Sequence, residues 1–172
     1  MNVSDNTKEE KILHKITMKK IFAILIISIS MLGCQPEGRE YIEHKELSPQ
    51  LEWLKKDVIE FKVPIEKENQ EFKMSLAFRC VEGFQHEVLK VNVIETSPSG
   101  KEESKEYELT LKDKQGKYIG DPVLKFYDSE HVIETNKIFG EKGVYSYKIE
   151  HMMPNDPVNS ALEIGVILDN VE

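Results

Sequence analysis

FKMSLAFRC, residues 72–80, sets the pattern for the whole chain. Phe72, Met74, Leu76, Phe78 and Cys80 alternate with Lys73, Ser75, Ala77 and Arg79, the period of two expected of a strand with one buried face. The alternation recurs on both sides. Upstream, Ile59, Phe61, Val63 and Ile65 alternate with Glu60, Lys62 and Pro64; the missing N–H of Pro64 predicts a sheet edge. Downstream come Leu89, Val91 and Val93, then Tyr107, Leu109 and Leu111, then Tyr145, Tyr147 and Ile149. A last strand sets Leu162, Ile164, Val166 and Leu168 inward. Val123 to Tyr127 reads as a short strand, and Val132 to Phe139 is ambiguous. Ser97-Pro98-Ser99-Gly100, Asp113-Lys114-Gln115-Gly116 and Gly120-Asp121-Pro122 are turn signals between these runs. About eight strands and no helix longer than two turns predict an all-β fold, a two-layer antiparallel β-sandwich. No internal repeat suggests a propeller or a solenoid.

Ahead of the strands stands a stretch of another kind, MKKIFAILIISISMLGC, residues 18–34. Lys19 and Lys20 precede an apolar run from Ile21 to Leu32, and Gly33 and Cys34 close it, the order of a secretory signal. Twelve residues at about 1.5 Å each cover roughly 18 Å, short of a hydrocarbon core of roughly 30 Å. The ending Met31-Leu32-Gly33-Cys34 resembles a bacterial lipobox, with Met31 where Leu is more usual. That resemblance implies lipid attachment at Cys34 and cleavage after Gly33. Met18 followed by two lysines looks like a natural start, which makes residues 1–17 an upstream extension. The expected organisation is therefore 1–33 removed, 34–50 a lipidated tether and 51–172 the sandwich. Gln35 rather than Asp after Cys34 suggests an outer-membrane anchor by analogy with better-known sorting rules.

Charge narrows the partners. The chain carries a net charge of −8, and its first 33 residues hold five Lys against three acidic residues, so the remainder is more acidic still. A surface of that sign repels phosphate backbones, and nucleic acid is not expected as a partner. With Cys34 lipidated, Cys80 has no disulfide partner, and its place on the apolar parity makes it a small buried hydrophobe. The histidines at 14, 44, 86, 131 and 151 fall in no zinc-ligand spacing, and no GxSxG, P-loop or GxGxxG occurs. Asp113, Asp121 and Asp128 border turns, where carboxylates either bond their own backbone or bind calcium; the first is the commoner use. No cofactor is expected.

Two places invite a binding role. Trp53, the single tryptophan, either plugs one end of the core or meets a ligand, and the first is the simpler use. The loop from His151 to Ser160 carries Met152, Met153 and Val158, apolar for a loop between two strands, with Pro154 and Pro157 limiting its freedom. These three residues either form an adaptable contact surface or fold back to cap the core.

From Trp53 to the C-terminus the order of motifs resembles the gliding-motility lipoproteins of the H type (GldH) of Bacteroidota. It is carried by Trp53 ahead of Phe61, by Arg79 ahead of Phe84, and by Leu111-Lys112-Asp113-Lys114-Gln115-Gly116-Lys117-Tyr118-Ile119-Gly120. Gly143 to Glu150 and Ile164-Gly165-Val166-Ile167-Leu168 complete it. The chain departs from the family pattern at Tyr118, where Trp is typical, and at Met153-Pro154, where Met-Arg is. It departs again at Ser160-Ala161, in place of Gly-Ile, and at Glu87, in place of Asn. The resemblance implies a non-enzymatic envelope lipoprotein, held to the membrane by its lipid, that works with other envelope lipoproteins and with secretion or motility proteins. A lipid-anchored module for glycans or other nutrients is the alternative, although such sites usually expose aromatic platforms and this chain has one Trp.

Overall fold

The computed structural model describes residues 38–171; Cys34 and the leader ahead of it lie outside the described residues. Eleven strands run through this part: β1 (Arg39–Glu46), β2 (Glu52–Trp53), β3 (Ile59–Ile65), β4 (Glu71–Val81), β5 (Val88–Thr96), β6 (Glu102–Thr110), β7 (Asp121–Val123), β8 (Phe126–Ile138), β9 (Gly143–His151), β10 (Val158–Asn159) and β11 (Ala161–Asn170). Five of them form one antiparallel sheet in the order β1-β11-β4-β8-β7, and four form a second in the order β3-β9-β5-β6. A two-stranded β2–β10 pair adds a small third sheet. The two large sheets face each other as an open β-sandwich, the expected fold. Pro64 lies on β3, an edge strand as its missing N–H requires.

The alternating residues fill the space between the sheets. Phe72, Met74, Leu76, Phe78 and Cys80 from β4 meet Phe61, Val63, Leu89, Val91, Tyr147 and Ile149 from the other sheet, all buried. Trp53 closes one end with no exposed surface, and its indole Nε1–H donates to the Asp57 carbonyl at 2.8 Å. It is a core plug. Buried aromatic side chains of this kind each remove a large apolar area from water, which is why they anchor the layer.

Three expectations need correction and one ambiguity is resolved. The stretch 39–46, read as part of the tether, is β1, paired through Tyr41↔Leu168 and Glu46↔Glu163 with β11. As an edge strand it keeps one ladder and a charged flank, so its composition imitates a solvated linker. Val123 to Tyr127 is not one strand but a hairpin, turning at Leu124-Lys125 between β7 and β8. The ambiguous 132–139 run is mostly the end of the long β8, whose register shifts opposite Met74 break the period of two. Leu162 does not point inward. A register shift between Ala161 and Glu163 turns it aside, and Ala161 takes the buried place beside Ile164.

Candidate functional site

Three regions carry polar or exposed chemistry beyond what a plain core needs. The first closes the open side between β6 and β8, where the two sheets share no ladder. Lys137, only 8% exposed, donates to Glu95 at 2.5 Å and lies 3.7 Å from Glu134. Tyr147 donates to Glu95 at 2.7 Å and Tyr107 to Glu134 at 3.0 Å. Lys105 adds a bond to Glu134 at 2.7 Å. Burial works against the Glu134 charge, but Lys105, Lys137 and Tyr107 outweigh it and hold its pKa below the usual value. Burial beside these carboxylates pushes the Tyr147 hydroxyl far up, so it stays a donor. Every group here is paired with another, which makes the cluster a polar seam. On the opposite open side, Lys45 reaches from β1 to the Glu60 carbonyl at 2.5 Å and lies over the Phe61 ring.

The second region is the outer face of the five-stranded sheet. A depression of about 270 Å³ is lined by Arg39, Ile42, His44, Ala77, Arg79 and Glu130, among others. Its middle is low because β4 and β11 carry small residues there, Ala77 opposite Gly165. A Cβ at Gly165 would stand 2.7 Å from Nδ1 of His44, so glycine is what lets that imidazole lie across the strand. Two arginines flank the depression. Arg79 pairs with both Asp128 oxygens, at 2.5 and 2.8 Å, and with Glu163 at 3.1 Å. Arg39 pairs with Asp169 at 2.9 Å and with Glu130 at 3.3 Å, spanning from β11 across β4 to β8. The hydrogen bonds from Arg79 pull the Asp128 pKa below the ordinary carboxylate value. These charges satisfy one another, so a ligand would have to compete with them.

The third region is the end of the sandwich carrying Trp53 and the 151–160 loop. The structure separates the three apolar residues singled out there. Val158 is fully buried and pairs with Trp53. Met153 is 5% exposed, and its sulfur accepts the Lys90 N–H at 3.3 Å. Both cap the core, and only Met152, 40% exposed, faces solvent. A contact surface built on all three residues is therefore corrected to one residue. His151 is buried edge-on to Trp53 at 5.4 Å. Burial pushes its pKa below the ordinary value, with Asp156 pulling the other way, so the ring sits neutral beneath the loop.

Other titratable groups are committed to the fold. Burial raises the Cys80 thiol to about 11, which leaves it protonated and a poor nucleophile. Asp113 accepts the N–H groups of Gln115 and Lys117 at 2.9 Å each, an Asx-turn as expected of a turn aspartate. Asp128 is committed to Arg79. Among the described residues no group of three or more His, Cys, Asp and Glu stands ready for a metal ion. Sequence reasoning took Asp128 for a turn carboxylate and Arg79 for a polar-parity residue, since their meeting depends on the β4–β8 register.

Fold and surfaces together define an all-β sandwich domain whose distinctive chemistry lies on its faces and ends. The GldH lipoprotein family matches residues 40–168, and the chain belongs to that family. Comparison with curated proteins and with solved structures finds no match. Two departures from the family pattern have a structural explanation. Tyr118 stacks on Tyr127 at 3.9 Å and donates to the Phe84 carbonyl at 3.2 Å, retaining an aromatic anchor for the 113–120 loop. Ser160 sits at φ 63°, a left-handed position where the glycine typical of the family carries no steric penalty.

Proposed function

We propose that the protein is a non-enzymatic, lipid-anchored envelope protein that acts through protein–protein contacts in a gliding-motility or secretion-associated assembly. The family match over residues 40–168 is the observation that carries this reading. Its lipid site is Cys34, outside the described residues, and the anchor is assigned to the outer membrane. The partners it implies are other envelope lipoproteins or secretion and motility proteins. Because β1 begins at Arg39, the tether expected from sequence shortens to residues 35–38. At about 3.3–3.6 Å per extended residue, four residues reach no more than roughly 14 Å. A lipid on Cys34 would thus be joined to the domain through the chain that runs into Arg39.

A gene deletion tests the reading. Cells lacking the protein should lose gliding or secretion of surface proteins, wild type should restore it, and Cys34→Ala should not. Mass spectrometry of the N-terminal peptide should find a diacylglyceryl group on Cys34 of the restored strain. Normal gliding and secretion in the deletion strain would overturn the assignment.

A further inference from the structure

We infer that the β7–β8 hairpin tip, with the lysine-rich loop before it, is the docking point for a protein partner that offers an apolar pocket with an acidic rim. The proposal rests on the protein-contact reading above and adds to it the surface and the chemistry.

The hairpin turns through two residues, Leu124 and Lys125, between the paired Val123 and Phe126. Leu124 has φ 61° while Lys125 is not at positive φ, so the left-handed residue is the first of the two. Two-residue hairpins of that kind place glycine there, since a side chain with a Cβ is strained at positive φ. The Leu124 side chain is 95% exposed. It therefore packs against nothing, and its left-handed backbone costs the fold with no packing in return. A residue that the fold resists and does not use points to a use outside the chain. Val123 and Ile119, both exposed, extend the apolar surface. A hollow lined by Lys117, Tyr118, Gly120, Pro122 and Tyr127 lies beside them.

The hairpin is held rigidly. A Cβ on Gly120 would fall 2.0 Å from the Asp128 carbonyl oxygen, so the chain leading to β7 is pressed against the β8 backbone. Tyr118 stacked on Tyr127 fixes the other flank. A rigid knob loses little freedom when it docks.

Charge says what it docks into. Residues 112–125 hold four lysines and two aspartates in a chain whose net charge is −8. Several lysines elsewhere, among them Lys90, Lys101 and Lys105, are paired with glutamates. Among the described residues no ion pair engages Lys114, Lys117 or Lys125, all exposed, while Asp113 is occupied with its own turn. Lys125 in the turn and Lys117 on the hollow beside it put unpaired cations next to the apolar knob, with Glu82 and Asp121 as the nearby carboxylates. Such cations complement a pocket with an acidic rim. The tip also faces a partner freely. Val81↔Phe126 and Lys73↔Asp169 place it at the opposite end of the sheet from Arg39, the first residue of β1 and the end joined to the proposed lipid site.

The test uses full-length protein in its own cells, with a photoreactive amino acid in place of Leu124 and, in separate strains, of Val132 or Val144. Position 124 should give one adduct with a defined protein, cross-linked through an apolar segment flanked by acidic residues. Reversing Lys114, Lys117 and Lys125 to Glu together should cut that adduct at least about tenfold, the loss typical of a dominant contact. Leu124→Gly should melt no lower than wild type while recovering at least about tenfold less of the same partner. Adducts at 124 with lipid, or with a second copy of this chain, would overturn the proposal. So would an adduct that survives charge reversal. Protein adducts at Val132 or Val144 but none at 124 would sink the hairpin and leave the protein-contact reading standing. No protein adduct at any position would sink both.

Discussion

The polar seam between the sheets and the outer face of the five-stranded sheet use the same ingredients, cations bonded to carboxylates, in different surroundings. At the seam, Lys137 sits at 10% side-chain exposure between carboxylates at 19% and 20%. On the outer face, Arg79 and Asp128 are each about a third exposed. Water screens the second set and hardly reaches the first. The contrast assigns the seam to stability and leaves the outer face free to vary with function.

Removing one partner from each region should break the symmetry. Lys137→Ala leaves Glu95 desolvated without its cation, while Glu134 keeps Lys105, and should cost about 3–5 kcal/mol. Urea unfolding of a soluble chain from Gln35 onward, at neutral pH, measures it. A loss as small as that of a surface pair would mean that water enters the seam. Within the 151–160 loop, burial makes the same distinction between two neighbours. Met153→Ser should cost about 2–5 kcal/mol, because it empties a buried place and adds a hydroxyl there. Met152→Ser should stay within about 0.5 kcal/mol. Equal costs for the two would refute the separation of cap from surface.

Arg79→Ala should cost no more than about 1 kcal/mol once solvent screening is counted, and high salt should shrink even that difference. The smallest effect is that of pH. Burial lowers the pKa of both His151 and His131 below the ordinary value. Above about 6.5 both folded and unfolded chains hold these rings neutral, so stability is full there. As pH falls from about 6.5 toward the folded values, the unfolded chain binds the extra protons and stability declines. Asp128, whose folded pKa is also depressed, stabilises above its unfolded value of about 3.9, and that contribution is lost as pH falls through the folded one. His151→Phe should flatten the upper part of the decline and leave the lower part in place. An unchanged slope between neutral pH and pH 5 would remove His151 from the account.

Much of the fold was legible because burial imposes a period. Phe72 to Cys80, Leu89 to Val93 and Tyr145 to Ile149 each alternate because one sheet face meets the core. The order of family motifs was legible for the same reason, as local patterns with local causes. β1 was hidden because an edge strand with charged flanks has little apolar surface to declare itself. Leu162 was misplaced because a single-residue register shift is invisible in composition, although it moves a side chain from one face to the other.

The sequence by itself determined the class of fold, the core strands, the buried role of Cys80 and Trp53, and the membership motifs. Only the tertiary structure decided which polar residues meet: Lys137 with Glu95 and Glu134, Arg79 with Asp128, Arg39 with Asp169 and Glu130. It also decided that Met153 caps the core while Met152 does not, and that Leu124 stands alone at a left-handed turn. The physical reason is range. Periodicity records whether a residue faces core or water, a property of its own strand. Pairing depends on strand order and register, which residues distant in sequence settle jointly when the sheets close.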